Sequence, residues 1–184
     1  MILDELLRVA HTGAVALYIG GAIIVTLGLR RAQRFIPPAQ AAVVGNVVGT
    51  LFTYISWLAL ATWAGSGYWL LARRGWASPT SPHTLFVDPE LLKEGYGWMM
   101  ILMISSWLGM LINAVLITFV FRPRLVRRLE PSHASPQMVE RLQRQMMVSA
   151  RMVEALALVN LLLCLAATLA GHRFFEHVYI YTAS

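Results

Sequence analysis

The chain of 184 residues has little charge: Asp, Glu, Lys and Arg make up 13% of it, whereas a soluble domain carries roughly 25%. That shortage excludes an ordinary water-facing shell. It fits a surface facing lipid, as do the 58% hydrophobic content and a positive mean hydropathy. Cysteine is almost absent. Cys164 stands alone inside an apolar run, which rules out an intramolecular disulfide and reads as a buried small hydrophobe. A metal site using that one thiolate would need other ligands. No Cys-x-x-Cys-His occurs, so covalent c-type haem attachment is excluded. Glycine-rich phosphate loops, paired carboxylates and a Ser/His/Asp set are also missing. No inverted repeat announces a secondary transporter.

What charge there is has a pattern. The net charge is +6, and the basic residues are nearly all arginines at the ends of apolar stretches. Such clustering points to membrane topology and anionic lipid headgroups. With no interleaved basic and aromatic patch, nucleic acid is not an expected partner; the lipid bilayer is. At the N-terminus, Asp4, Glu5 and Arg8 lack the basic character of a signal peptide. The apolar stretch that follows is too long for one and ends in Arg30-Arg31, so it is expected to stay attached as the first helix.

A membrane-spanning helix needs about 20 mostly apolar residues. Four stretches qualify, at roughly 5–29, 46–72, 96–121 and 149–170. The expected fold is therefore an all-α membrane protein, a four-transmembrane-helix bundle forming a single integral membrane domain over 1–184. Pro37-Pro38 breaks the first connection, Pro79, Pro82 and Pro89 mark the second, and Pro131 and Pro136 the third. The polar stretch Gln137 to Gln145 reads as an extension of the fourth helix into water. The first and third connections hold most arginines: Arg30, Arg31, Arg34, Arg122, Arg124, Arg127, Arg128, Arg141 and Arg144. By the positive-inside rule they are expected to be cytoplasmic, with both termini outside. Trp76 and Trp98 suit an outer aromatic belt. Small residues at Ala14, Gly21 and Gly28, with Gly13 and Gly20 beside them, predict close packing of the first helix as the central member of the bundle.

Polar groups inside a bilayer are costly and so carry functional weight. His11 lies about two turns outside the midpoint of the first helix. On the antiparallel third helix a similar depth falls near Met103, with Met99 one turn further out; Met99, Met103 and Met110 share a face. His172 and His177 sit at the outer end of the fourth helix, His83 is in the outer connection, and only His133 is expected on the cytoplasmic side. Imidazole with thioether suits copper or the iron of a b-type haem. The candidate cofactor ligands are thus His11, Met99, Met103 and His172, with His11, Met103 and His172 the candidate metal ligands. The competing reading is ordinary packing: Met fills gaps, and a membrane histidine can bond a neighbouring serine or carbonyl. Asn113 and Asn160 read as a structural cross-helix pair, and Arg151 with Glu154 as an ion pair on one helix face.

Some of these features resemble a known family. His11, Gly20-Gly21 and the basic end of the first helix, Trp57 through Gly65-x-Gly67, Tyr96-Gly97, Asn113, Arg122-Pro123-Arg124-Leu125 and Arg151-x-x-Glu154 are similar to the copper-resistance protein D family. The bacterial membrane protoporphyrinogen oxidase of the HemJ type opens similarly. The resemblance covers nearly the whole chain and implies a four-helix unit in the bacterial inner membrane that handles copper at the outer face or holds a haem. Both groups usually carry a lysine early in the third helix, where this chain has Met99-Met100; that departure argues against porphyrinogen oxidation. The expected function is membrane redox or metal handling with haem b or copper, for electron transfer or copper transport. Quinol or an outer-face redox protein or cuproprotein would be the partner. The alternatives are a cofactor-free accessory subunit of a larger membrane complex or a homo-oligomer, and an oxidase-type enzyme.

Overall fold

The computed structural model describes residues 2–73, 95–123 and 136–182. All regular structure among them is helical. The long helices are α1 (Ile2–Ile23), α2 (Pro38–Arg73), α3 (Gly95–Val115) and α4 (Pro136–Thr182). Four stretches are long and apolar enough to cross a membrane: Ile2–Phe35, Val43–Arg73, Gly97–Phe121 and Met147–Phe174. The chain is a multi-pass membrane protein with an all-α, four-helix architecture. His83, His133, Trp76, Lys93, Arg74, Arg124, Arg127 and Arg128 lie outside the described residues, as does the side chain of His177.

Two boundaries differ from expectation. α2 starts at Pro38 rather than near 46, because proline is preorganised for a first helical position and Ala39, Ala41 and Ala42 favour helix. The residue before Pro37, Ile36, is held extended at φ −124° and ψ 154°, as proline demands of its predecessor. Gln33 secures this corner by donating from its side-chain amide to the Ala41 carbonyl at 2.8 Å. α4 runs from Pro136, taking in the polar Gln137–Gln145 stretch as expected, and continues to Thr182 rather than stopping near 170. Past residue 170 it meets only Gly171 as a weak breaker, which costs about 1 kcal/mol in a helix interior, and no proline.

α1 and α3 both widen into π-helix at the arginine-bearing end of the bundle, over Ile24–Leu29 and Leu116–Phe121. This changes the predicted glycine seam. Ala14, Tyr18 and Ala22 are buried, and Gly21 meets the Phe52 ring so closely that a Cβ there would stand 2.5 Å from it. Gly13, Gly20 and Gly28 face open space. The widened winding after Ile23 takes Gly28 off the seam. Nor is α1 central: it packs closely on α2, as α3 does on α4, so the bundle is two tight helix pairs.

The pairs share a core at mid-height, with Tyr18 of α1, Leu60 and Trp63 of α2, Met110 of α3 and Cys164 of α4 among its buried members. Through it runs a polar chain. Asn113 Nδ2 donates to Asn160 Oδ1 at 3.2 Å, and Asn160 Nδ2 donates to the Tyr18 hydroxyl at 2.7 Å. The asparagine pair was expected; Tyr18 extends it to a third helix. α2 and α3 are joined mainly by long side chains. Trp107 Nε1 donates to the Leu60 carbonyl at 3.2 Å, Trp57 Nε1 to Thr118 Oγ1 at 3.4 Å, and Arg122 Nη1 to Thr53 Oγ1 at 2.9 Å. Many large apolar side chains, such as Leu58, Leu162 and Leu169, are exposed, as lipid-facing positions are.

Replacing Asn160 by leucine removes both bonds of the chain and leaves buried partners on α1 and α3 unpaired. Cross-helix bonds in lipid contribute about 0.6 kcal/mol on average and up to about 1.7 kcal/mol. Asn160→Leu is therefore expected to destabilise the bundle by about 1–2 kcal/mol in a bicelle unfolding assay. The lipid-facing Val159→Leu should stay within about 0.5 kcal/mol of the parent.

Candidate functional site

Seven residues, about two turns, separate Tyr18 in the core from His11 towards the terminal end of α1. At this level a cleft of about 170 Å³ opens between the helix pairs. His11 of α1, Trp63, Gly67, Tyr68 and Leu71 of α2, and Met103, Ile104 and Trp107 of α3 line it. The α2 residues recur three or four apart, as one helix face requires. The lining is largely apolar, with the imidazole its principal polar group.

α1 and α2 run antiparallel in fixed register. Asp4, near the start of α1, and Arg73, at the end of α2, form a two-pronged ion pair at 2.8 and 3.4 Å. Seven residues further in on each helix, His11 Nδ1 meets Ser66 Oγ at 3.1 Å. Gly67 leaves room for the ring: a Cβ at that position would stand 3.0 Å from His11 Cε1 and 3.3 Å from Nδ1. Trp63 presents its indole nearly perpendicular to the imidazole, with centroids 6.2 Å apart and an 81° interplanar angle.

The hydrogen bonds define the tautomer. Ser66 Oγ lies 2.5 Å from the Thr62 carbonyl oxygen and 3.2 Å from that of Trp63. Two oxygens that close repel unless a proton lies between them, so the single serine proton goes to Thr62. Ser66 can then only accept from His11, and Nδ1 is the protonated nitrogen. In that tautomer Nε2 carries the ring's lone pair. A histidine whose other nitrogen is fixed by a hydrogen bond in this way is oriented as metal-ligating histidines are.

Of the residues singled out in the sequence, the cleft brings together His11 and Met103. Met103 Sδ also reaches α4, lying 3.3 Å from where a Cβ on Gly171 would stand. Met99 lies beside the cleft, partly buried against Leu71, Met100 and Phe174, and Met110 belongs to the core. His172 is turned elsewhere. Its side chain is 69% exposed and its Nε2 lies 3.2 Å from Glu176 Oε1, one turn along the same helix. Among the described residues no group of three or more His, Cys, Asp or Glu side chains forms a metal site, so a metal here would depend on thioether as well as imidazole. Sequence reasoning missed Ser66 as the partner of His11. The available signal was a serine between Gly65 and Gly67 at the same depth on a neighbouring antiparallel helix.

The tautomer is directly measurable. ¹⁵N spectra of histidine-labelled protein at neutral pH should show His11 with a protonated Nδ1 and an unprotonated Nε2. Ser66→Ala should shift the population towards the Nε2-protonated form, whereas a parent His11 already protonated at Nε2 would contradict the assignment. Searches of protein-family models, curated proteins and solved structures find no match to this chain.

Proposed function

We propose that this membrane protein handles copper, taking Cu(I) as its cargo in the cleft between His11 and Met103. The observation that carries the reading is the convergence of these side chains from separate helices on one apolar cleft, with the imidazole held by Ser66 through Nδ1. Thioether sulfur is soft and selects Cu(I), and imidazole accepts copper readily. A desolvated, singly basic imidazole at membrane depth is also costly enough to indicate a use.

The haem alternative fits this cleft less well. Its volume of about 170 Å³ is near that of a benzene-sized cavity, about 150 Å³, and below the roughly 300–1,000 Å³ of small-molecule sites. His172, the other imidazole considered as an axial ligand, lies outside the cleft lining. Sidedness follows from charge: Arg31, Arg34, Arg122, Arg141 and Arg144 gather at the end of the bundle opposite His11. The positive-inside rule makes that end cytoplasmic in a bacterial inner membrane. The cleft then faces outward, where copper would be received from or delivered to an outer cuproprotein.

Detergent-purified protein titrated with Cu(I) against a chromophoric chelator under reducing conditions should bind one ion per chain. Met103→Leu, close in volume, and His11→Ala should each weaken binding at least about tenfold, a loss of about 1.4 kcal/mol. Met99→Leu should change it little. Absence of Cu(I) binding, or equal binding by Met103→Leu and the parent, would refute the reading. A Soret band lost in His11→Ala would instead restore haem.

A further inference from the structure

The opposite end of the bundle carries a second polar constellation, independent of the copper reading. Arg122 follows the π-helical segment of α3 and is half-buried at the end of a membrane-crossing stretch. Its guanidinium turns sideways onto α2, donating through Nη1 to Thr53 Oγ1 and through Nη2 to Thr50 Oγ1. Both threonines are prepared as acceptors. Thr50 gives its own proton to the Asn46 carbonyl at 2.6 Å, and Thr53 gives its proton to that of Gly49 at 2.8 Å.

Two of the five N–H donors of the guanidinium are thus committed to neutral oxygens, which orient the planar fork without neutralising it. Among the described residues Arg122 has no carboxylate partner. An arginine that merely reaches for water would extend away from its neighbours; this one is held against the adjacent helix at the hydrocarbon boundary. A fixed guanidinium with no carboxylate partner among the described residues has the charge and donor geometry for bidentate recognition of a phosphate. Basic sites between membrane helices can bind anionic headgroups in this way.

We propose that Arg122, oriented by Thr50 and Thr53 of α2, binds an anionic phosphate group at this end of the bundle, as a phospholipid headgroup or as free phosphate. The test uses full-length protein in nanodiscs of mixed phosphatidylglycerol and phosphatidylcholine, with retained lipids counted by native mass spectrometry. The parent should retain phosphatidylglycerol about fivefold over phosphatidylcholine, the scale of one arginine at a membrane surface. Arg122→Gln should remove most of that preference, leaving what the other arginines at this end supply, whereas Arg34→Gln, an exposed arginine at the same end, should lower it much less. The double variant Thr50→Val/Thr53→Val keeps the charge and frees the fork; it should lower the preference, and it keeps the test informative if Arg122→Gln fails to fold. In lipid-free detergent, Arg122-dependent stabilisation by millimolar inorganic phosphate, without lipid preference, would identify the soluble ion as the ligand. Absence of both effects overturns the proposal. So does a lipid preference unchanged in Arg122→Gln or in the threonine double variant.

Discussion

The hydrogen-bonded chain from Asn113 through Asn160 to Tyr18 is the constraint on which the rest of the bundle depends. In lipid, helices gain nothing by hiding apolar surface from one another, since hydrocarbon surrounds them in either case. Association then rests on close packing and on polar groups with no other partner. Within each tight pair, packing suffices: Gly21 admits Phe52, and α3 lies close along α4. Between pairs the contact is looser, and the buried chain fixes how α1, α3 and α4 stand relative to one another. The register of the two pairs is set at mid-height and carried outward from there.

The cleft follows from the way the pairs are joined. α2 and α3 are bridged by the indoles of Trp57 and Trp107 and by the fork of Arg122, all of which span distance. Small residues would have drawn the two backbones together; these side chains separate them. Space consequently remains at the level of His11, and Trp107, which borders it, is one of the side chains that keep the helices apart. The same arrangement explains why the imidazole is so well oriented. It is held by α2 through Ser66 and Trp63, beside a cleft that α3 also lines.

Much of the fold was legible because hydropathy and length leave few alternatives for an uncharged stretch of this size. The Asn113–Asn160 pair was legible for the same reason, two amides at one depth with nothing else to bond. Counting residues inward on antiparallel helices also brought His11 and Met103 to one level. The count failed where winding or rotation mattered. Gly28 left its seam because the six residues that follow α1, Ile24–Leu29, are π-helical, and hydropathy carries no mark of that. His172 was grouped with the other outer histidines by depth, but depth says nothing of azimuth, and its neighbour Glu176 takes it along the helix surface. Tyr18 passed unnoticed because an aromatic ring in an apolar run reads as packing until its hydroxyl has a partner. Ser66 was similarly concealed within a small-residue turn.

α4 has a mechanical consequence. At 47 residues it is about 70 Å long, well beyond the roughly 40–45 Å of a bilayer with its headgroups. It is anchored near its middle by Asn160 and projects as a continuous rod towards the arginine-rich end. A pivot of 10° about that anchor would sweep the Pro136 tip through roughly 6 Å, given the rise per residue of an α-helix. The same pivot would move Gly171, and with it the contact to the Met103 sulfur, by about half as much in the opposite direction. The long helix is a lever with unequal arms, mechanically coupling its projecting tip to the margin of the cleft.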